Sequence, residues 1–485
     1  MKTTDEETNY SQLHRPASDF STRSEYLEHE LEIMSPRRWR INLPLRDYRF
    51  EWEDLVPATA ATIGKIVMVT AIVSVFAQSL GLPADFIVEN VRFEMLIAAV
   101  LFVFLFSGLF NPRANLAGTH GPMIPMIPLL VAAGGHPLAF GIMVGILGLI
   151  LGLSKGGSKM VDLAGDGVKG GLLVYLGGVG LISQVNAFKT WADSIDMSIL
   201  ALTTLLISFL IYAYLARVKL RWIAIPLCSG VAGLAAWALG APFEFSTKMG
   251  LPNMNPAYWW GVNSGWQLGL PQFEQFITVF PFAVLAVAMW SPDFIGHRVF
   301  QELHYPQKAR DVLMDVDDTM TVASTRQILG TLLGGGNLAS SWGTYIIPAS
   351  IAKRPIPAGA VLTAFFCVLC ALLGFPMDLA MWEPVLRVAL IVGVFMPLLE
   401  TGMEMIKDTK TAQSAGAVIF ASALVNPVFG WSLTMLLDNS GMLGKCERSD
   451  NLPASDRWII PLVTFLICTL AMASVGMLPG IPALL

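Results

Sequence analysis

Charge is scarce in this chain. Lys, Arg, Asp and Glu make up 14% of its 485 residues, against about 25% in an ordinary globular domain. A soluble fold wets its surface with charge, so the deficit excludes most soluble readings. There is no basic excess either. The 31 Lys+Arg and 36 Asp+Glu leave a net charge of −5, and nucleic acid is excluded as a partner because phosphate binding needs a clustered basic surface. Cysteine is sparse: Cys228, Cys367, Cys370, Cys446 and Cys468 fall mostly inside apolar runs. They read as small core residues, not disulfides or metal ligands. Walker, HExxH and GxSxG motifs are missing, and no Lys-Ser/Thr follows Gly334-Gly335-Gly336. Hydrolytic and ATP-driven chemistry therefore have no handle, and the chain does not read as an enzyme. No metal site or cofactor is implied.

What the chain has instead is long uncharged runs and a mean hydropathy of +0.60. A membrane-crossing helix needs roughly 20 apolar residues, and the runs point to an all-α polytopic membrane protein. Residues 1–50 are polar and lack a signal peptide, which leaves the N-terminus cytoplasmic. Arg37, Arg38, Arg40, Arg46 and Arg49 crowd the approach to the first run, as a cytoplasmic flank should. Ser35–Trp52 reads as an amphipathic lead-in along the membrane surface.

Fourteen apolar segments follow, near 55–82, 93–110, 119–133, 137–154, 169–187, 195–216, 221–241, 276–300, 320–335, 342–352, 356–375, 384–406, 412–437 and 457–480. With the N-terminus inside, loops after even-numbered segments are cytoplasmic. They carry most of the basic residues, including Lys155, Lys159, Lys169, Arg217, Lys219, Arg298, Lys353 and Lys407. The loop 242–274 holds only Lys248 with Trp259, Trp260 and Trp266, which suits an outer interfacial aromatic belt. Lys445, Arg448 and Arg457 fall on the wrong side, so the last two segments fit the topology worst.

Two segments are short and interrupted. Asn115-Leu116-Ala117-Gly118-Thr119-His120-Gly121-Pro122-Met123-Ile124 and Asn337-Leu338-Ala339-Ser340-Ser341-Trp342-Gly343-Thr344-Tyr345-Ile346 share Asn, Leu, Ala, Gly and Ile in register, 222 residues apart from 115 to 337. They stand third and tenth, the same place in two halves of seven, and an odd number of spans per half inverts the second. The expected organisation is a cytoplasmic segment 1–54, a first repeat 55–241, an outer loop 242–275 and a second repeat 276–485.

Such breaks begin helices in mid-bilayer, where free N–H groups need a cavity, water or an anion. Two facing helix N-termini favour negative charge. Thr119, His120 and Gly121, with Ser340, Ser341, Trp342, Gly343 and Thr344, are therefore candidate substrate contacts. The alternative is a pair of caps in kinked structural helices. Asp293 follows the uncharged run Pro281–Pro292 and is a candidate coupling or substrate residue; the alternative is a helix-breaking cap at Ser291-Pro292-Asp293. Lys65 lies ten residues past Leu55, about 15 Å deep, and is a counter-ion candidate for substrate or Asp293, unless it snorkels. Glu400 and Glu404 read as interfacial charges, and Asp315, Asp317 and Asp318 as N-terminal caps.

These residues resemble the superfamily of sulfate permeases, bicarbonate and borate transporters, and nucleobase transporters. Pro281–Asp293 is similar to the eighth span of sulfate permeases, and Gly121-Pro122 to the Gly-Pro opening the third-span half-helix of the anion branches. The resemblance covers about 55–480. It implies fourteen spans in two inverted repeats of seven, half-helices in spans three and ten, a core domain moving against a gate domain, and a homodimer. It further implies that Asp293 faces the substrate. The chain ends at Leu485, where sulfate permeases usually carry a STAS domain, and the acid that nucleobase carriers place in span ten is absent between Ser340 and Ala352. An outlying bacterial branch without STAS is the expectation.

The reading is a multi-pass carrier of the bacterial inner membrane for a small sulfate-, bicarbonate- or carboxylate-like anion, coupled to H+ or Na+. The alternatives are a carrier of nucleobases stacked on Trp342 or Trp290, and a membrane channel or sensor.

Overall fold

The computed structural model describes residues 10–115, 124, 126–241, 249–260, 266–335, 343–374, 383–443 and 453–484. Backbone in lipid has no water to bond, so the apolar runs close their hydrogen bonds internally as helices. After a polar helix α1 (Arg23–Ile33) come α2 (Leu55–Leu80) and α3 (Ala84–Ile97, wound wider over Ala98–Phe110). Then follow α4 (Met126–Ala132), α5 (Pro137–Leu153), α6 (Asp166–Ser194), α7 (Ser198–Arg217) and α8 (Ala224–Ala238). The second half holds α9 (Phe273–His304), α10 (Val316–Leu332), α11 (Gly343–Ile351) and α12 (Ile356–Leu373). It continues with α13 (Glu383–Leu390 through Ile391–Phe395 to Met396–Met405), α14 (Thr409–Leu424), α15 (Pro427–Asn439) and α16 (Ala454–Ser474).

Nine described helices are long and apolar enough to cross a membrane, ten if α4 and α5, bent by 118°, count as one span. The protein is thus all-α, polytopic and membrane-embedded. Part of the shortfall from fourteen lies in helices below that length: α5, α10, α14 and α15 have 17, 17, 16 and 13 residues. The described parts of α4 and α11, 7 and 9 residues, adjoin residues outside the described ones.

The two ends of the bundle differ chemically. At one end Lys159 meets Asp456 at 3.1 Å, Arg38 grips Asp318 at 2.7 Å, and Arg354 binds Asp54 at 2.8 Å. At the other, Trp266 Nε1 donates to the Gly334 carbonyl and Trp260 Nε1 to that of Leu332, both at 2.9 Å. The tryptophans do not form an interfacial belt. Trp259 and Trp266 are fully buried, ring to ring with Phe93 at 5.0 Å and Phe86 at 4.9 Å, because the loop folds inward over the helix ends. Gly334 lies at φ +109, and a Cβ there would meet Trp259 Cβ at 2.1 Å. Only glycine fits that position.

The apolar run 412–437 is two helices, not one. Asn426 caps α15 by accepting from Phe429 N at 2.9 Å, and Pro427 takes the first helical position. α14 and α15 fold back antiparallel, with Ser414 Oγ donating to Asp438 at 2.8 Å near their open end. The chain therefore returns to the charged end before α16, where Asn439 donates to the Leu163 carbonyl at 2.8 Å and Arg457 joins the other basic residues. The mismatch of Arg457 with the charge rule disappears. α16 then runs to the aromatic end, so the first and last described residues lie at opposite ends.

Ser35–Trp52 is an irregular strap and contains no amphipathic helix. Asn42 N donates to the Leu109 carbonyl at 2.8 Å and Arg40 N to that of Phe110 at 3.1 Å, while Trp39, Leu45 and Trp52 face outward. Asp315 caps α10, accepting from Asp318 N at 2.9 Å, and Asp317 and Asp318 stand in its first turn. Asp317 bonds Ser158, and Asp318 bonds Arg38 and Asn111. Cys228, Cys367, Cys370 and Cys468 are free thiols; Cys446 lies outside the described residues.

The halves interlock. α5 packs on α10 and α3 on α12; α2 and α9 each touch both short helices, α4 and α11; α6 lies along α13.

The Asp54–Arg354 pair joins the start of α2 to the turn after α11, with both side chains at most 1% exposed. Asp54→Asn strands a buried guanidinium and is expected to cost about 3–5 kcal/mol, read as a lower unfolding midpoint in detergent; an Asp54→Leu/Arg354→Met double variant should recover most of it. Single cysteines replacing Lys155 and Leu484 should react with impermeant maleimide from opposite sides of the membrane, and labelling from one side would contradict the hairpin.

Candidate functional site

Three ionisable residues reach one depth. Lys65 on α2 and Arg326 on α10 each stand ten residues from the helix start at the charged end, about 15 Å in, and Asp293 stands eleven before His304, about 16 Å. A charge at such depth needs a reason. Lys65 is 3% exposed and Arg326 fully buried, as is Glu94 on α3. Arg326 repels Lys65, and Glu94 attracts both.

Asp293 does not cap a helix end. α9 runs unbroken through Pro281 and Pro292, and Asp293 sits within it. One turn on, His297 Nε2 lies 3.7 Å from Asp293 Oδ2. The other ring nitrogen, Nδ1, lies 3.4 Å from the Asn115 side-chain amide, whose own backbone N–H donates to Thr319 Oγ1 at 2.9 Å. With the amide donating, Nδ1 accepts and the ring proton sits on Nε2, toward Asp293. Asn115 is the residue before the first break, so this chain of contacts connects α9 to the approach to α4.

On α2, Lys65 follows Gly64, and Gly64 is where α2 meets Thr344 of α11. A Cβ on Gly64 would lie 2.3 Å from Thr344 Oγ1 and 2.7 Å from Thr344 Cβ. Absence of a side chain at 64 lets Thr344 of α11 approach α2 closely. Gly343 opens α11, and Thr344 is 2% exposed. Thr119, His120, Gly121, Ser340, Ser341 and Trp342 lie outside the described residues.

Three members of this region escaped the sequence reading. His297 had a signal, its i+4 spacing from Asp293 on one helix face. Arg326 and Glu94 also had one, since each stands inside an apolar helix. Arg326 is masked by its polar neighbours, Ser324-Thr325-Arg326-Gln327, which make the run look amphipathic. Trp290 is entirely buried, its ring against the α5 backbone where a Cβ on Gly148 would touch it at 2.7 Å. Glu400 pairs with Arg221 and Tyr212, away from this layer.

A family model described as "Protein of unknown function (DUF3360)" matches residues 1–485. No curated protein matches. Among solved structures the chain is similar to "The transmembrane domain of a cyanobacterium bicarbonate transporter BicA", at 17% identity and a TM-score of 0.42, covering 79% of this chain and 96% of that one.

Gly64→Ala should displace α11 and reduce ligand-dependent thermal stabilisation at least tenfold in ligand concentration. A Gly64→Ala/Thr344→Gly variant, which removes the clashing Cβ, should restore it. Unaltered ligand response in Gly64→Ala would disconnect this contact from binding.

Proposed function

We propose that this chain, which belongs to that family of unknown function along its whole length, is a secondary active carrier of a small anion, coupled to H+ or Na+ and resident in a bacterial inner membrane with its charged end cytoplasmic. One observation carries the reading. Two short described helices, α4 and α11, both pack on α2 and α9, and these two long helices carry Lys65 and Asp293 at mid-depth.

Reciprocal packing supports two halves of seven. With α2–α8 as the first and α9–α15 as the second, α3 on α12 corresponds to α10 on α5. Likewise α2 on α4 corresponds to α9 on α11, α7 on α8 to α14 on α15, and α6 on α13 is its own counterpart. In this scheme α4 and α11 are the half-helices, the second repeat ends at Asn439, and α16 is appended outside it.

The core is then α2–α5 with α9–α12, and the gate α6–α8 with α13–α15. Described hydrogen bonds and ion pairs from the N-terminal segment reach only core elements, tying that domain into one body. At the charged end a cavity of about 410 Å³ opens between α9 and the gate, lined by Asp166, Lys169, Glu302, Glu404 and Lys407. It is the inner mouth in this account. Rocking of core against gate closes this mouth and opens the other side, carrying an anion held at the half-helix ends, with Lys65 balancing its charge. Asp293, with His297 behind it, takes up and releases the coupling ion, and two copies form a homodimer through the gate.

The nucleobase alternative loses one of its two stacking platforms, since Trp290 is packed away inside the core. A channel or sensor remains separable by transport kinetics. Reconstituted into proteoliposomes, the protein should show saturable, gradient-driven uptake of labelled sulfate or bicarbonate with counterflow. Flux without saturation or counterflow would reject a carrier, and uptake of uracil instead would reject the anion. Asp293→Asn should remove dependence on the pH or Na+ gradient while leaving the unfolding midpoint near wild type; an unchanged gradient dependence would reject the coupling role.

A further inference from the structure

The strap before the first span exposes what water disfavours. Trp39, Ile41, Leu43, Leu45, Phe50 and Trp52 are all exposed, Leu45 at 65% and Trp52 at 78%, while Asn42, the polar residue between two of them, is fully buried. That inverts the usual order of a wetted surface. Two of the six are also held in the left-handed region, Trp39 at φ 55 and Leu45 at φ 68, a costly conformation for a bulky L-residue. Packing within the chain does not offset that cost, since both side chains stand outside it.

The position of the strap says what surrounds them. Its backbone is fastened to the end of one span, Arg40 N donating to the Phe110 carbonyl at 3.1 Å and Asn42 N to that of Leu109 at 2.8 Å, and it runs into the start of another at Trp52. Both span ends mark the rim of the hydrocarbon at the charged end. The Asn42 side-chain amide secures this seat, donating to the carbonyls of Arg37 and Leu109, each at 2.9 Å. Arginines stand among the apolar side chains. Arg38 is taken by Asp318, and Glu51 by Arg23 at 2.6 Å. Arg37 and Arg46 share one buried carboxylate, Asp47, at 3.9 and 2.7 Å, and the exposed Arg40 guanidinium meets no acceptor among the described residues. Asp315 and Asp317, the other acids near Arg38, bond Asp318 N and Ser158. Arg37, Arg40 and Arg46 are thus left facing a single acid.

We propose that residues 39–52 form a docking surface for anionic phospholipid headgroups: the apolar side chains enter the interface of the adjoining leaflet, and Arg40, with Arg37 and Arg46, binds lipid phosphate. Arginine meets phosphate with paired planar donors, tryptophan settles at headgroup level, and basic residues beside a span draw anionic lipid. Charge favours this occupant over a second copy of the chain, because a two-fold contact through the strap would set its arginines against their own counterparts. Arg38 ties the strap to α10 through Asp318, so lipid held on the strap steadies the helices beneath it. The proposal stands apart from the carrier reading.

Two measurements on the full chain test it. A spin label on Leu43→Cys, with the unsubstituted chain as the labelling blank, is placed in nanodiscs of phosphatidylcholine mixed equally with phosphatidylglycerol. Its relaxation should respond more to dissolved oxygen than to a water-soluble nickel complex, as a lipid-facing site does. Dominance of nickel would put the strap in water, and dipolar broadening between copies would give the surface to a second chain; either overturns the proposal. In mixed micelles the unfolding midpoint should rise as phosphatidylglycerol replaces phosphatidylcholine. Arg40→Gln should raise the half-effective phosphatidylglycerol fraction about fivefold, and Arg40→Lys should stay near wild type. A midpoint indifferent to phosphatidylglycerol, or an Arg40→Gln response equal to that of wild type, would overturn the headgroup contact and the proposal with it.

Discussion

A charge held in the bilayer's interior must be neutralised by the protein around it, because neither lipid nor water will do so there. That constraint sorts the molecule. Among the described residues, the arginines and lysines of the connecting loops gather mostly at one end, where carboxylates meet them, and aromatic residues pack at the other. Within the long helices stand Lys65, Glu94 and Arg326, all buried, and Asp293 with His297. The helices that carry this charged layer are those that contact the two short helices or adjoin them in the chain, so the charged layer and the short helices belong to a single arrangement.

Contacts between the first and second parts of the chain brace that arrangement on one side. α3 with α12 and α5 with α10 cross-brace the first half to the second, and the N-terminal segment fastens the same helices from outside through Asp54–Arg354 and Arg38–Asp318. No comparable braces among the described residues join the segment to α6–α8. The boundary along α9, α6 and α13 holds a solvent-sized cavity instead. A packed core beside a cavity-lined boundary is the physical precondition for two bodies to rock.

Much of this was legible in the sequence, and the failures have identifiable causes. Apolar length marks the long helices, and charge placement marks the end at which most described loop cations gather, because both follow from the cost of burying polar groups in lipid. That same cost singles out Asp293 and Lys65 as charges within apolar runs. The run 412–437 was read as one span because hydropathy carries no information about chain reversal; Asn426-Pro427, a cap followed by proline at the first helical position, was the local signal that outweighed it. Trp259 and Trp266 were assigned to the interface from composition, but a tryptophan whose N–H finds a carbonyl at Asn253 or Gly334 is equally content in the interior. Arg326 and Glu94 were passed over because their value lies in tertiary pairing, α3 against α10, which no local pattern records.

The central claim is that core and gate move against each other about the charged layer when the anion binds. Spin labels at Leu303 on α9 and Met403 on α13, both exposed beside the charged-end cavity, report that motion as a distance distribution measured by pulsed electron resonance in nanodiscs. The account predicts two resolved populations whose ratio shifts when the transported anion is added. A single distance, unchanged by any anion, would contradict it.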